Sequence, residues 1–406
     1  MLSVKQRSDY TFRFNKKMGR HGWLRLTPAY SVKLVQELVE ETLKDARILE
    51  PFSGTATTGL CATESGMISD SLDINPFLVW FGNVKCAHFE ENELKKLEQR
   101  IEKVNEQLPS FLEADNWAPK IHNIERWWCG HTLPLLCALR ASIVEEFGEP
   151  SDDQYSSLAW VAFCRLMIET SSADFNHVSM SFKEDVTRYE VNQIKLLFKD
   201  IVEAVVDSTK ENLLGNAEIF LGDSRTLDTL NGKKYDHVIT SPPYPNRMSY
   251  IRELRPYMYW TKFLNEKKEA GELDWKAIGG TWGTATSKLK EWAPDGVELP
   301  ESLLVVCEKI LHAESKNADL MARYVHKYFY DMHSHFASLR SLLNAGAKID
   351  YIVGNSSFYG NLVNSEKIFE SSLVSLGYKN VSSRIVRKRN SKKELFEFCV
   401  TAKWNG

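Results

Sequence analysis

Short apolar runs alternating with amphipathic stretches outline this chain. Ile48-Leu49-Glu50, the run that ends at Asp73, Ile219-Phe220-Leu221 and Tyr235-Asp236-His237-Val238-Ile239 are too short for helices. Each is closed by Gly, Pro, Ser or Asp, the signature of strands entering turns. Two more strand signals come late, Ile349 to Gly354 and Glu394 to Ala402. Helical spacing recurs from Val32 to Leu43, with Val32, Leu34, Val35, Leu38, Val39 and Leu43 on one face. Further helices are predicted over Phe89–Leu108, near Trp127–Glu146, near Tyr155–Thr170, over Thr187–Val206 and around His335–Leu343, the last leading through Asn344-Ala345-Gly346 into a strand. Strands that alternate with helices predict an α/β fold.

About 150 residues separate Asp73 from Asp223, where a bare α/β crossover needs only a short helix. The pattern therefore predicts a core of residues 1–85, 213–250 and 323–406, interrupted by a helical insertion at 86–212 and a second at 251–322. No internal repeat or low-complexity linker divides them, so the insertions are expected to pack on the core. The polar stretch Thr170 to Phe182 and the loop Gly279 to Thr284 are candidates to approach a ligand.

Composition changes the picture little. No apolar stretch is long enough to span a bilayer, and the basic, aromatic segment Lys5 to Arg25 lacks the apolar stretch of a signal peptide. Seven scattered cysteines without C-x-x-C pairs argue for reduced thiols in a cytoplasm and against a disulfide frame or a zinc site. The net charge of −3 implies that any nucleic-acid contact must come from a local basic face. Two basic runs qualify. Lys5, Arg7, Arg13, Lys16, Lys17, Arg20 and Arg25 crowd the N-terminus, and Arg384, Arg387, Lys388, Arg389, Lys392 and Lys393 form the other.

The chemistry concentrates after two strands. Thr240-Ser241-Pro242-Pro243-Tyr244 follows the fourth strand signal, at the end of a sheet where ligands bind. Two prolines fix two φ angles and remove two donors, leaving a rigid turn of carbonyls between a hydroxyl and an aromatic ring. Such a turn can accept hydrogen bonds from a planar amino group while Tyr244 stacks on its face. After the first strand, Pro51-Phe52-Ser53-Gly54-Thr55-Ala56-Thr57-Thr58-Gly59 forms a Gly/Ser/Thr turn into a helix N-terminus, which offers free N–H groups. Asp73 lies nineteen residues after Gly54, the offset at which an acid ending the second strand accepts hydrogen bonds from ribose hydroxyls. Asp223 ends the third.

Ser241 to Tyr244 resembles the S-P-P-Y motif of DNA methyltransferases that methylate the exocyclic amino group of cytosine. The Pro51 to Thr55 turn resembles the P-F-x-G-x-G-T motif of amino-methyltransferases, with Ala56 at the usual second glycine. The resemblance covers residues 20–85, 215–260 and 325–404, with the cofactor motif before the catalytic one. It implies a Rossmann-like S-adenosylmethionine methyltransferase sheet. It assigns Ser241, Pro242, Pro243 and Tyr244 to catalysis. It assigns Thr27, Pro28, Pro51, Phe52, Ser53, Gly54, Thr55, Gly59, Asp73, Ile74, Asp223 and Ser224 to the cofactor. The implied partner is double-stranded DNA, read by one or both insertions. Phosphates would be met by Arg384, Arg387, Lys388 and Arg389 in the loop of the C-terminal hairpin.

No cysteine follows a proline, so the thiolate turn needed for methylation at ring carbon is missing and nitrogen is favoured. The implied reaction is transfer to cytosine N4 on a flipped base, without a metal, in a prokaryotic, nucleoid-associated setting. A cognate restriction endonuclease is a candidate partner, and no residue pattern speaks to oligomeric state. Adenine N6 is the alternative target, disfavoured by Ser rather than Asp at position 241. An RNA or protein-glutamine methyltransferase, whose motif begins with Asn, and a non-catalytic nucleic-acid-binding protein of this fold are weaker readings.

Overall fold

The computed structural model describes residues 7–24, 31–174, 181–183, 187–211, 213–280, 284–389 and 394–406. Thr27, Pro28, Lys5, Lys392 and Lys393 lie outside these residues, as do parts of both candidate loops.

The strand signals assemble into one seven-stranded sheet. Its strands are β1 (Arg47–Glu50), β2 (Ile68–Asp73), β3 (Asn216–Leu221), β4 (Tyr235–Thr240), β5 (Leu343–Gly354), β6 (Lys379–Lys388) and β7 (Phe396–Lys403). They lie in the order β6-β7-β5-β4-β1-β2-β3. The run from β5 to β3 is parallel, while β7 is antiparallel to both of its neighbours. From β1 the chain builds outward through β2 and β3, then returns to place β4 on the other side. The β1/β4 pair is thus the switch point where an open α/β sheet forms its ligand crevice. This is the Rossmann-like α/β arrangement.

The longer helices are α1 (Val32–Glu40), α2 (Thr57–Glu64), α3 (Pro76–Cys86), α4 (Glu91–Leu112), α5 (Thr132–Phe147), α6 (Gln154–Glu169), α7 (Val191–Thr209), α8 (Tyr250–Trp260), α9 (Lys267–Lys276), α10 (Thr284–Glu291), α11 (Glu301–Leu311), α12 (Ala318–Leu339) and α13 (Ser365–Ser375). Alternate residues of the central strands face two layers. Ile48, Ile239 and Ile352 pack with Val32, Val35 and Val39 of α1, whereas Leu49, Val238 and Ile349 pack with Phe329, Phe336 and Phe369 of α12 and α13. Burial on both faces explains why these strands read as continuous apolar runs. Helix α1 stops at Glu40, short of Leu43, which is 80% exposed and adds nothing to the buried face.

Helices α4 to α7 fill the interval between β2 and β3. They share one apolar core with α3 and with α8, which opens the segment after β4. Trp128, Trp160 and Phe163 surround Trp260 of α8 or one another, and the buried Arg140 guanidinium donates to the Trp260 carbonyl at 2.8 Å.

One strand expectation shifts. Asn344-Ala345-Gly346 is no turn before β5 but an irregularity inside it: partners jump from Tyr235/Leu343 to His237/Lys348, with Gly346 at φ +87°. The last strand, β7, forms a hairpin with β6 and lies between β5 and β6, where it pairs on both sides.

Candidate active site

The loop after β1 is organised by a residue that motif matching passes over. Glu50 is fully buried at the end of β1. Its carboxylate accepts the Phe52 N–H at 3.1 Å and the Thr58 hydroxyl of α2 at 2.6 Å. It also accepts the hydroxyl of Thr240, the residue before Ser241. One buried acid therefore ties the Gly/Ser/Thr turn to the Ser-Pro-Pro-Tyr turn. The only sequence signal was its place between a strand and a proline.

Within the turn Gly54 adopts φ +50°, where a Cβ would meet only the Phe52 carbonyl oxygen, at 3.9 Å. Its N–H donates to Asp73 at 2.8 Å, which closes the turn onto the end of β2. Ala56 caps α2 in the left-handed region at φ 53° and is fully buried. It holds the conformation a glycine would take freely, at a strain of roughly 1–2 kcal/mol. The N-cap residue of α2, Ala56, makes no side-chain capping bond, and Ser53 Oγ is buried without a partner among the described residues. A buried hydroxyl left unpaired beside a helix N-terminus is the kind of group a ligand can complete. From below, the Lys85 ammonium donates to the Thr55 carbonyl at 2.6 Å. Burial pushes that amine down to about 8.

The Ser-Pro-Pro-Tyr turn leaves β4 beside it. Ser241 Oγ donates to the Ile352 carbonyl of β5 at 3.1 Å, so its lone pairs remain available as acceptors. Tyr244 lies within hydrogen-bonding reach of Ser241, and burial pushes its phenol far up, which keeps it neutral. The ring rests against the end of β5. A Cβ on Gly354 would stand 2.8 Å from Tyr244 Cδ2, so only glycine leaves room for it. Tyr250 supports the turn from α8, its hydroxyl accepting the Tyr244 N–H at 3.3 Å. A Cβ on Gly279 would lie 3.7 Å from Pro243 Cβ, so the second candidate loop starts beside the turn. Gly354 and Tyr250 were not anticipated, because both contacts depend on which strand and helix border β4.

The two predicted acids differ. Asp73 accepts N–H groups from Gly54 and Asn75, both at 2.8 Å, while remaining half-exposed. Burial raises its carboxyl to about 6, against the lowering effect of those amides. Asp223 is held in a fork by its neighbour, with Arg225 Nη2 at 2.6 Å and Nε at 2.9 Å. Burial alone would raise Asp223, but Arg225 holds it lower. Ser224 is buried and donates to the Pro51 carbonyl, so it fixes the loop. Phe52 stacks edge-on against His335, and Ile74 is half-exposed at the end of β2.

Several expectations need correction. Gly59 lies within the first turn of α2, buried, where a Cβ would make ordinary contact with Ala217, Cys86 and Ser71. The C-terminal basic residues are not in a loop: Arg384, Arg387 and Lys388 are on β6, with Arg389 next after it. Register pairs Arg387 with Glu397, and both guanidinium contacts are 2.5 Å. Arg389 donates to the Asn355 carbonyl at 2.9 Å and sits 5.5 Å from the Tyr244 ring centre, so it walls the Ser-Pro-Pro-Tyr turn. Arg384 stays exposed. At the N-terminus, Arg20 is buried and donates to carbonyls of Lys85, Ala87 and Thr209, closing two helix ends, while Arg7 pairs with Asp9.

This geometry meets a family likeness along nearly the whole chain. The type II methyltransferase M.BsoBI of Geobacillus stearothermophilus is 24% identical over 438 residues, which cover 96% of this chain and 84% of that protein. The type II methyltransferase M.AvaI, from Nostoc sp. (strain PCC 7120 / SAG 25.82 / UTEX 2576) and from Anabaena variabilis, is 24% identical over 428 residues, covering 94% of this chain and 83% of its own length. No protein-family model matches the chain. Among solved structures, the rRNA methyltransferase aviRa from Streptomyces viridochromogenes aligns with 93% of this chain at a TM-score of 0.29 and 12% identity, too loosely to add to the strand order. No helix among the described residues is long and apolar enough to cross a membrane.

Proposed function

We propose that this chain is a site-specific DNA methyltransferase that uses S-adenosylmethionine to methylate the exocyclic N4 amino group of cytosine. The observation that carries the proposal is the joint at the β1/β4 switch point. There Glu50 links the Gly/Ser/Thr turn to Thr240 and hence to Ser241-Pro242-Pro243-Tyr244. Similarity to type II methyltransferases over 96% of the chain supports the same reading.

The residues present fit the cofactor. The N-terminus of α2, the left-handed turn at Gly54 and the unpartnered Ser53 Oγ suit a zwitterionic amino acid group, and half-exposed Asp73 suits ribose hydroxyls. When bound, S-adenosylmethionine supplies an electrophilic sulfonium methyl. The chain's own part is to prepare the nucleophile. The lone pair of a cytosine amino nitrogen is delocalised into the ring. Acceptors at Ser241 Oγ and the Pro242 carbonyl favour a pyramidal nitrogen with a localised pair, and Tyr244 offers the stacking face. Fixed acceptors and orientation supply most of the acceleration. The base must leave the duplex, at a cost of about a few kcal/mol.

The insertions at 86–212 and 251–322 are the proposed readers of sequence. Arg384 on the exposed part of β6 is a proposed phosphate contact. Ser241 in place of Asp favours cytosine over adenine. Methylation-sensitive sequencing of DNA from cells expressing the protein tests the proposal. N4-methylcytosine at one recurrent sequence supports it; N6-methyladenine would move the assignment to the adenine enzymes.

A further inference from the structure

Away from the crevice, at the far end of α2, three side chains of different chemistry converge. Cys61 and Glu64 stand three residues apart on one face of the helix, and His21 reaches them from the turn Gly19–Gly22. His21 Nε2 lies 3.8 Å from Cys61 Sγ and 3.5 Å from the Glu64 carboxylate, and all three donor atoms fall within 4.8 Å of one another. We infer that His21, Cys61 and Glu64 form a binding site for a single divalent transition ion of the zinc class.

The separations carry the argument. Donors about 2.0–2.3 Å from a tetrahedral zinc lie roughly 3.3–3.6 Å apart. Both separations from His21 Nε2 are within a few tenths of an ångström of that range, and Cys61 and Glu64, within 4.8 Å of each other, need to close by at most about an ångström. The imidazole, thiolate and carboxylate together match zinc and cobalt rather than a hard oxygen-seeking ion. His21 and Cys61 are buried, and the Glu64 side chain is 28% exposed, which supplies a path for entry and room for water at the fourth position. The ring's side-chain contacts are all on the Nε2 side, since Nδ1 has no partner.

Charge is balanced as well. An ion bound here displaces the Cys61 thiol proton to solvent, as coordinating divalent ions do. One dication with one thiolate and one carboxylate is neutral overall, which suits a buried site near the Lys85 ammonium. An ion here would pin the N-terminal segment to the helix whose other end carries the Gly54 turn.

The test uses the full-length protein without an affinity tag, stripped with chelator and titrated with cobalt(II). One equivalent should produce a thiolate-to-cobalt charge-transfer band that zinc abolishes. Zinc should also raise the melting temperature of the wild-type chain. Cys61→Ser should lose the band. Glu64→Gln, at the accessible rim, should weaken cobalt binding by at least about tenfold in a chain that still folds. Absence of the band in the wild type, or its full retention in both variants, would overturn the inference.

Discussion

The two ends of the sheet are built from the same kinds of residue and treat them oppositely. At the start of β1 and β4, Asp70 takes hydrogen bonds from Arg47 and Tyr235, both at 2.7 Å. On the same side of the molecule His237 bridges Thr42 at 2.7 Å and Asp350 at 2.8 Å, and Thr401 and Lys348 complete Asp350. At the opposite end, Ser53 Oγ has no partner among the described residues, Ala56 carries left-handed strain, and burial raises Asp73 to about 6. At the Asp70 end the carboxylates are met by the protein's own donors, although Arg47 Nε is left without a partner among the described residues, and the network holds the fold together. One left incomplete at a switch point waits for a ligand.

This contrast is broken most forcefully at Asp350. Asp350→Ala leaves buried partners unmatched and should cost about 3–5 kcal/mol of stability by denaturant titration. Burial alone would raise this carboxyl, but hydrogen bonds from His237 and Thr401 and the charge of Lys348 hold it well below the usual carboxylate range. Its contribution is therefore complete above the unfolded-state value near 4 and fades as the pH falls further. A stability loss under about 1 kcal/mol would mean the network is incidental.

The crevice end should respond in function instead. Tyr244→Ala should cut single-turnover methyl transfer by the equivalent of about 1–3 kcal/mol while the melting temperature and cofactor affinity stay near wild type. Gly354→Ala should reproduce part of that loss by displacing the ring. Transfer at the wild-type rate in Tyr244→Ala would remove the ring from the reaction.

Asp73 gives a smaller, pH-dependent effect. Ribose hydroxyls donate to the ionised carboxylate, so S-adenosylmethionine affinity should fall as the pH drops below about 6. Asp73→Asn should bind about tenfold more weakly at neutral pH, roughly 1.4 kcal/mol, and show no such fall in calorimetry. The least effect is on β6. Arg384→Ala should lower the salt slope of DNA binding by about 1, whereas Arg387→Ala, already paired to Glu397, should leave the slope unchanged.

Motifs that occupy consecutive positions were legible from the chain: the Gly54 turn, Asp73, and the Ser-Pro-Pro-Tyr turn all sit at strand ends as their spacing implied. Contacts set by strand order were not. Nothing near Glu50 announces that its carboxylate meets Thr240, and nothing near Arg387 announces that Glu397 faces it across β6 and β7. Alternation likewise predicts β7 as a strand without revealing that it lies between β5 and β6.

The most direct measurement is nucleoside mass spectrometry of DNA incubated with S-adenosylmethionine and either the wild-type chain or Tyr244→Ala, with cofactor affinity measured on both. The account predicts N4-methylcytosine from the wild type and a strongly reduced yield from the variant at near-equal cofactor affinity. N6-methyladenine, no methylated base from a cofactor-binding wild type, or an undiminished yield from Tyr244→Ala would contradict it.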